Sequence, residues 1–333
     1  MVWRVWGFKA ILRMSMMLTI LMIFMFFVRC SVGKKFQLSL VAAAVTGRRE
    51  HGVRGSSKTN MQIQQQAGRL ALAIEAAGYG NLQTASQLRE KHIRAAFQFL
   101  LATHTLRTCQ NYSRTLRYVL HGVGKSDLLK ALTNQELGIG GASRNGTKTA
   151  MPDHRFTEFV ELAKNLNTRD HWRREALPLI LVVARLTGMR IQEVRMCADQ
   201  ATRHTQTLQR DGTLELRDGT KGGRFRVIRI RPQRHAELLD AFKQVIEIAA
   251  RHGGKLWPRE KGKSAQASLS RELRKIGMVG QLSAHSLRYA FTQEQARWYR
   301  SEGYSTREIL RQAALDLGHG DSRVNYVSQV YYR

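Results

Sequence analysis

The chain has 333 residues, with 54 Lys and Arg against 25 Asp and Glu and a formal net charge of +29. That length suits two domains, each able to bury its own core, and a charge so far from zero speaks of partners rather than fold. Cys30, Cys109 and Cys197 lie far apart with no C-x-x-C pair, which excludes a disulfide framework or a cysteine zinc site.

The basic residues are spread along the whole chain rather than gathered in a tail. Nucleic acid is the leading partner for such a chain, because every phosphate contact releases counterions. The plainer alternative is a soluble or ribosome-associated basic protein. Isolated thiols suit a reducing cytosol, and only 4 prolines favour a mostly helical protein.

Residues 1–60 read as an N-terminal extension. Arg4, Lys9 and Arg13 precede an apolar run from Met14 to Val28, which has the form of a signal h-region or short anchor. Only Arg29-Cys30 follows it, with no small-residue cleavage site. The favoured reading is a start placed too far upstream, with Met61 as an alternative start. Gly33 to Asn60 is basic and rich in Gly, Ser and Thr, and is expected to be a flexible arm.

Residues 61–136 are expected to form a helical unit. Ile63, Ala67, Leu70, Ala71 and Ile74 recur at helical spacing, as do Leu88, His92, Ile93, Ala96, Phe97 and Leu100. Thr105 is placed to cap a third helix that ends at Gly122. Arg107, Arg114 and Arg117 on that helix are candidate DNA-binding residues; the bland reading is a solvated face. The Gly-rich stretch 137–152 reads as a linker.

Residues 153–333 form the second expected unit. Ala176 to Leu186 is nearly all apolar and predicts a buried helix ending at Thr187-Gly188. Thr213–Leu216 and Phe225–Ile230 read as strands flanking Asp218-Gly219-Thr220-Lys221-Gly222-Gly223, a hairpin turn. Further helices are predicted over 236–250, 268–276, 285–300 and 306–317.

Several polar residues in this unit stand where chemistry needs them. Gly188 permits a sharp break, so Arg190 leaves the helix end, and Glu193 on the same helical face can orient its guanidinium. Lys221 sits at the hairpin tip. His285 and Arg288 share one helical face. His319 follows the Leu317-Gly318 turn, and Tyr326, Tyr331 and Tyr332 come after it.

This order resembles the tyrosine recombinases, the phage-integrase family: T-G-x-R-x-x-E, a hairpin Lys, H-x-x-R, L-G-H, then Tyr. The resemblance covers about 156–333. The first unit is similar to the helical, SAM-like core-binding domain of such integrases. The fold class implied is mainly α with a small β-sheet, a core-binding domain followed by a catalytic domain.

The implied chemistry breaks a DNA phosphodiester through a covalent phosphotyrosine, with no cofactor, metal or ATP. Most phosphoryl-transfer sites neutralise the transition state with Mg²⁺. Arg190 and Arg288 would take that part here, each offering bidentate donors. His285 would accept or relay the nucleophile's proton. Lys221 would protonate the departing 5′ oxygen, and His319 would bond the phosphate. Tyr331 is the expected nucleophile, because Val330-Tyr331 with Arg333 close behind resembles the family's ending. The family's usual spacing, about nine residues past the L-G-H histidine, falls on Ser328, so Tyr326 and Tyr332 are alternatives.

The resemblance implies a mobile-element integrase acting on double-stranded DNA in the cytoplasm as a homotetramer. Accessory DNA-bending or directionality factors would be further partners, and a membrane is not expected to be one. The other readings are a type IB topoisomerase-like enzyme and a catalytically inactive DNA-binding protein.

Overall fold

The computed structural model describes residues 32–50, 57–141, 148–217, 220, 225–258, 264–320 and 323–332. The chain divides into two compact units, 1–143 and 144–333. The apolar run 14–28 and its flanking cations lie outside the described residues.

The first unit is helical. Its principal helices are α1 (Val32–Glu50), α2 (Ser57–Ala76), α3 (Glu90–Thr103) and α4 (Leu106–Gly122), followed by a single turn, α5 (Leu128–Ala131). The stretch expected to be a flexible arm is therefore corrected: α1 and the start of α2 occupy most of it. The reason is a stripe on α1. Phe36, Leu40, Ala43 and Ala44 recur at the spacing of one helical face, and all four are buried in one cluster with Ile63, Leu70 and Ile74 of α2 and Leu116 and Leu120 of α4. Lys34 and Lys35 point outward, which is why composition alone resembles an arm. Thr105 caps α4, its Oγ1 accepting from the Thr108 N–H at 3.3 Å. Leu137 and Ile139, at the start of the expected linker, pack into this core.

The second unit is built on α7 (His171–Thr187), which buries Ala176, Leu177, Ile180, Leu181, Val183 and Ala184. Around it lie α6 (Asp153–Lys164), the short α8 (Ile191–Arg195), α9 (Ala201–Asp211), α10 (His235–Arg251) and α11 (Ala265–Lys275). Strands β1 (Thr213–Leu216) and β2 (Arg226–Arg229) pair antiparallel, with Thr213 opposite Arg229 and Leu216 opposite Arg226. The mainly helical class with a small sheet is thus observed.

Three helices close the unit: α12 (His285–Ser301), α13 (Thr306–Asp316) and α14 (Val324–Tyr331). Helices α12 and α13 together take up most of the separation between Arg288 and His319. A buried ionic tie fixes α12 against α7: Glu294 accepts from Arg185 of α7 and from Arg231, just past β2. Such a tie specifies arrangement more than it stabilises. No helix among the described residues is long and apolar enough to cross a membrane. Among the described residues, no three His, Cys, Asp or Glu gather as a metal site.

Candidate active site

Gly188 ends α7 in the left-handed region with φ 62°. A Cβ there would stand 2.2 Å from the Phe291 ring of α12. Both facts require glycine, and together they let α7 stop hard against α12. Two residues on, Arg190 caps α8. Its backbone N–H donates to Glu193 Oε2 at 2.7 Å, and its Nη1 donates to Glu193 Oε1 at 2.7 Å.

Glu193 has a second partner that the sequence reading missed. Arg226, the first residue of β2, donates Nη1 to Glu193 Oε1 at 3.0 Å and Nη2 to Oε2 at 2.6 Å. Glu193 is almost completely buried. Burial opposes its charge, but the hydrogen bonds and charge of Arg226, with Arg190 behind them, hold the carboxyl down at about 2. The signal for Arg226 was strand alternation: Arg226 and Ile228 face inward while Val227 faces out, so one Arg enters the interior and needs an acid there.

Arg288 is 1% exposed. Its Nη1 donates to the Gly188 carbonyl and its Nη2 to the Leu317 carbonyl. One guanidinium therefore staples the T-G-x-R turn to the L-G-H turn. Its Nε is buried without a hydrogen-bond partner among the described residues. Burial brings its pKa down to about 10; Arg190 and Arg226 work in the same direction and Tyr331 against it.

The tyrosines separate clearly. The Tyr331 hydroxyl lies 3.2 Å from His285 Nε2, its ring 4.4 Å from Tyr289 and 5.9 Å from His319 between centroids. Val327, Val330 and Tyr331 of α14 bury themselves against Tyr289 of α12 and Ala313 and Ala314 of α13, and this packing sets the direction of the hydroxyl. Tyr326 stacks edge-on to His319 at 5.3 Å. Tyr332 packs instead toward Ala296, Tyr299 and Ile309, a different cluster.

Both histidines are held neutral. Crowding around the inner edge of His285, then Arg288, Arg190 and Lys148, pushes its pKa to about 4, although the residue keeps an open face to solvent. Burial, then Arg288 and Arg190, pushes His319 to about 3. His319 Nε2 is buried without a partner among the described residues. The Tyr331 pKa is raised by burial, against the pull of Arg288. The resting pair is thus a protonated phenol beside a neutral imidazole, the correct starting states for a proton transfer from Oη to Nε2.

Lys221 lies outside the described residues, as does most of its turn. In the first unit, Arg107, Arg114 and Arg117 all lie on α4. Arg107 donates to Gln110 at 2.9 Å and Arg117 to Asn134 at 3.4 Å, while Arg114 is exposed.

The integrase family model matches residues 138–294, a segment that carries Arg190, Glu193, Lys221, His285 and Arg288. Over this segment the chain resembles the integrase family. A search of curated proteins finds no match. Among solved structures, the integrase of the transposon Tn1549, in complex with transposon right-end DNA, aligns with a TM-score of 0.54 at 15% identity, covering 88% of this chain and 94% of that one. The site-specific recombinase XerH, in a post-cleavage complex with a palindromic difH substrate, aligns at 0.53 and 15% identity, covering 89% and 94%. A lambda integrase dimer bound to a core site aligns at 0.50 and 15% identity, covering 84% and 76%. At this identity the likeness speaks for the fold.

Proposed function

We propose that this chain is an integrase, a site-specific recombinase of a mobile element that cuts and rejoins DNA through a covalent 3′-phosphotyrosine at Tyr331, without metal or ATP. The observation that carries the proposal is the Tyr331 hydroxyl at 3.2 Å from His285 Nε2, with Arg288 and His319 close around it.

In this reading Tyr331 Oη attacks the scissile phosphorus and its proton passes to His285. The P–O5′ bond breaks, and the 5′ oxygen takes a proton from Lys221. The ester on Tyr331 keeps the bond energy, so the reverse attack by a 5′ hydroxyl reseals DNA with no other energy source. Arg190 presents donors from the rim of the site, being 26% exposed along its side chain. Arg288 offers its unpartnered Nε. Together the two guanidiniums answer the charge of a five-coordinate phosphorus. His319 Nε2 is likewise buried without a partner among the described residues, suited to a non-bridging oxygen.

His285 and Tyr331 lie in one chain, so each protomer would cut with its own nucleophile. Exchanging both strands of two duplexes takes four cuts, which supports a homotetramer on DNA in the cytoplasm, with accessory DNA-bending factors as further partners. The core-binding role of the first unit, through Arg107, Arg114 and Arg117, belongs to the same proposal.

The test is a nicked suicide duplex built from the DNA that flanks the gene. The native chain should form a denaturation-resistant adduct, and Tyr331→Phe should form none. Tyr326 has a specific claim through its contact with His319. An adduct that survives Tyr331→Phe and disappears in Tyr326→Phe would move the nucleophile there. Relaxation of supercoiled plasmid without joining of two duplexes would favour the topoisomerase reading.

A further inference from the structure

We infer that Arg226 is a positioning residue: through the Glu193 carboxylate it fixes the direction in which Arg190 presents its guanidinium to the scissile phosphate. The inference rests on the role given to Arg190 in the proposed function.

The contacts of Arg226 assign the part. Arg226 has a side chain only 4% exposed, and both of its terminal nitrogens are committed to Glu193 at 3.0 and 2.6 Å. Its Nε is buried without a hydrogen-bond partner among the described residues. It makes the parallel two-pronged contact that fixes a carboxylate in plane. The same two oxygens accept the backbone N–H and Nη1 of Arg190, each at 2.7 Å. Orienting the carboxylate therefore orients Arg190, whose side chain stays 26% exposed.

Charge points the same way. One carboxylate beside one arginine would form a closed neutral pair and blunt Arg190 toward an anion. Here two guanidiniums share one carboxylate, which leaves net positive charge on the more exposed member, Arg190. A buried carboxylate without Arg226 would face the full cost of desolvation and would favour its protonated form. The charged groups around Glu193 are Arg190 on α8, Arg226 on β2 and Arg288 on α12. His285, His319 and Tyr331 gather beyond them, about Arg288 and Arg190.

Arg226 also reaches the other end of the site. Gly318 adopts φ +65°, and a Cβ there would stand 2.9 Å from Arg226 Cδ and 3.1 Å from its Nη1. The guanidinium thus packs directly against the residue before His319. Displacing it would disturb the T-G-x-R helix and the L-G-H turn at once.

The experiment compares native chain, Arg226→Ala, Arg226→Lys, Glu193→Gln and the double variant, each checked for native melting. The rate of adduct formation on the suicide duplex is measured from pH 5 to 9. Arg226→Ala should lower it about 10- to 100-fold at neutral pH, the range for lost orienting partners. Its activity should also fall off in acid at a higher pH than native, because Glu193 now protonates more easily. Arg226→Lys, with charge but no fork, should fall between. The double variant should be no slower than the slower single one, since both changes break one linkage.

A native rate and pH profile for Arg226→Ala, or losses that multiply in the double variant, would overturn the inference. If the native chain forms no adduct, the proposed function fails, and the inference is decided by a carboxyl titration followed by NMR in protein labelled at Glu. Arg226→Ala, or Arg226→Lys should the alanine variant not fold, must raise the Glu193 midpoint and shift the Arg190 Nε–H resonance. An unchanged titration and resonance would sink it.

Discussion

The two units bury different things. The core of the first is apolar apart from a few groups such as Arg48, His92, Ser113 and Thr115, whereas the second also buries Arg185, Arg226, Arg288, Glu193, Glu272, Glu294 and Asp316. Burying an unpaired ion is costly, and in the second unit the cost is met by fixed partners: a carboxylate under Arg226, backbone carbonyls under Arg288. Charge on the first unit lies largely at its surface, where salt screens it. Interior charge in the second is screened far less. The first unit therefore gains shape from its core, and the second gains a pre-set electrostatic field.

The sharpest way to break this contrast is to remove an interior cation. Arg288→Ala should slow adduct formation by about 10²- to 10³-fold, as for loss of one oxyanion donor, and should also lower the melting temperature by leaving two carbonyls unpaired. Melting and adduct rate together check it; a slow but normally stable variant would show that the carbonyl contacts are incidental. In the first unit the corresponding change is apolar. Deleting residues 1–60 removes Phe36 and Leu40 from the core, at roughly 1.5–3 kcal/mol each and about 3–6 kcal/mol together. Urea denaturation should show the first unit's transition moved down and the second's unmoved.

A smaller effect follows from the neutral histidines. His285 and His319 have folded pKa values depressed to about 4 and about 3, so the unfolded chain binds more protons than the folded one below the ordinary histidine value of about 6.5. Their contribution is present above about pH 6.5 and declines as pH falls toward those folded values. Calorimetry should find the second unit's melting temperature rising from acid to neutral pH, with a shallower rise in His319→Asn. The smallest effect belongs to the surface. Arg114→Ala should weaken binding to arbitrary duplex DNA evenly across sequences and reduce the salt slope by about one, as read by anisotropy across a salt series.

Legibility in the sequence divides along the same line. Local placement was readable wherever one residue's neighbours in sequence decide it: Gly188 ends a helix, Glu193 falls one turn past Arg190, and His285 and Arg288 share a face. Arg226 was not, because its partner is 33 positions away, and a lone Arg in a strand says nothing about which acid awaits it. The choice among Tyr326, Tyr331 and Tyr332 depends on how Val327 and Val330 seat α14, a matter of packing. In the first unit, α1 went unread although Phe36, Leu40, Ala43 and Ala44 carry the helical period. Basic charge and Gly, Ser and Thr content pointed to an arm, and tertiary burial overrode them.

One feature of α14 reaches past a single molecule. Because it folds back onto α12 and α13 of its own chain, Tyr331 and His285 are inherited together on one polypeptide. On the proposed function, a chain lacking Arg190 and a chain lacking Tyr331 would have no whole site between them in a mixed assembly, so the two defects should not complement. A single intact chain among damaged ones keeps its own cut. In genetic terms, lesions in the proposed site should behave as recessive for cleavage and become dominant only at a later step that needs all protomers to act.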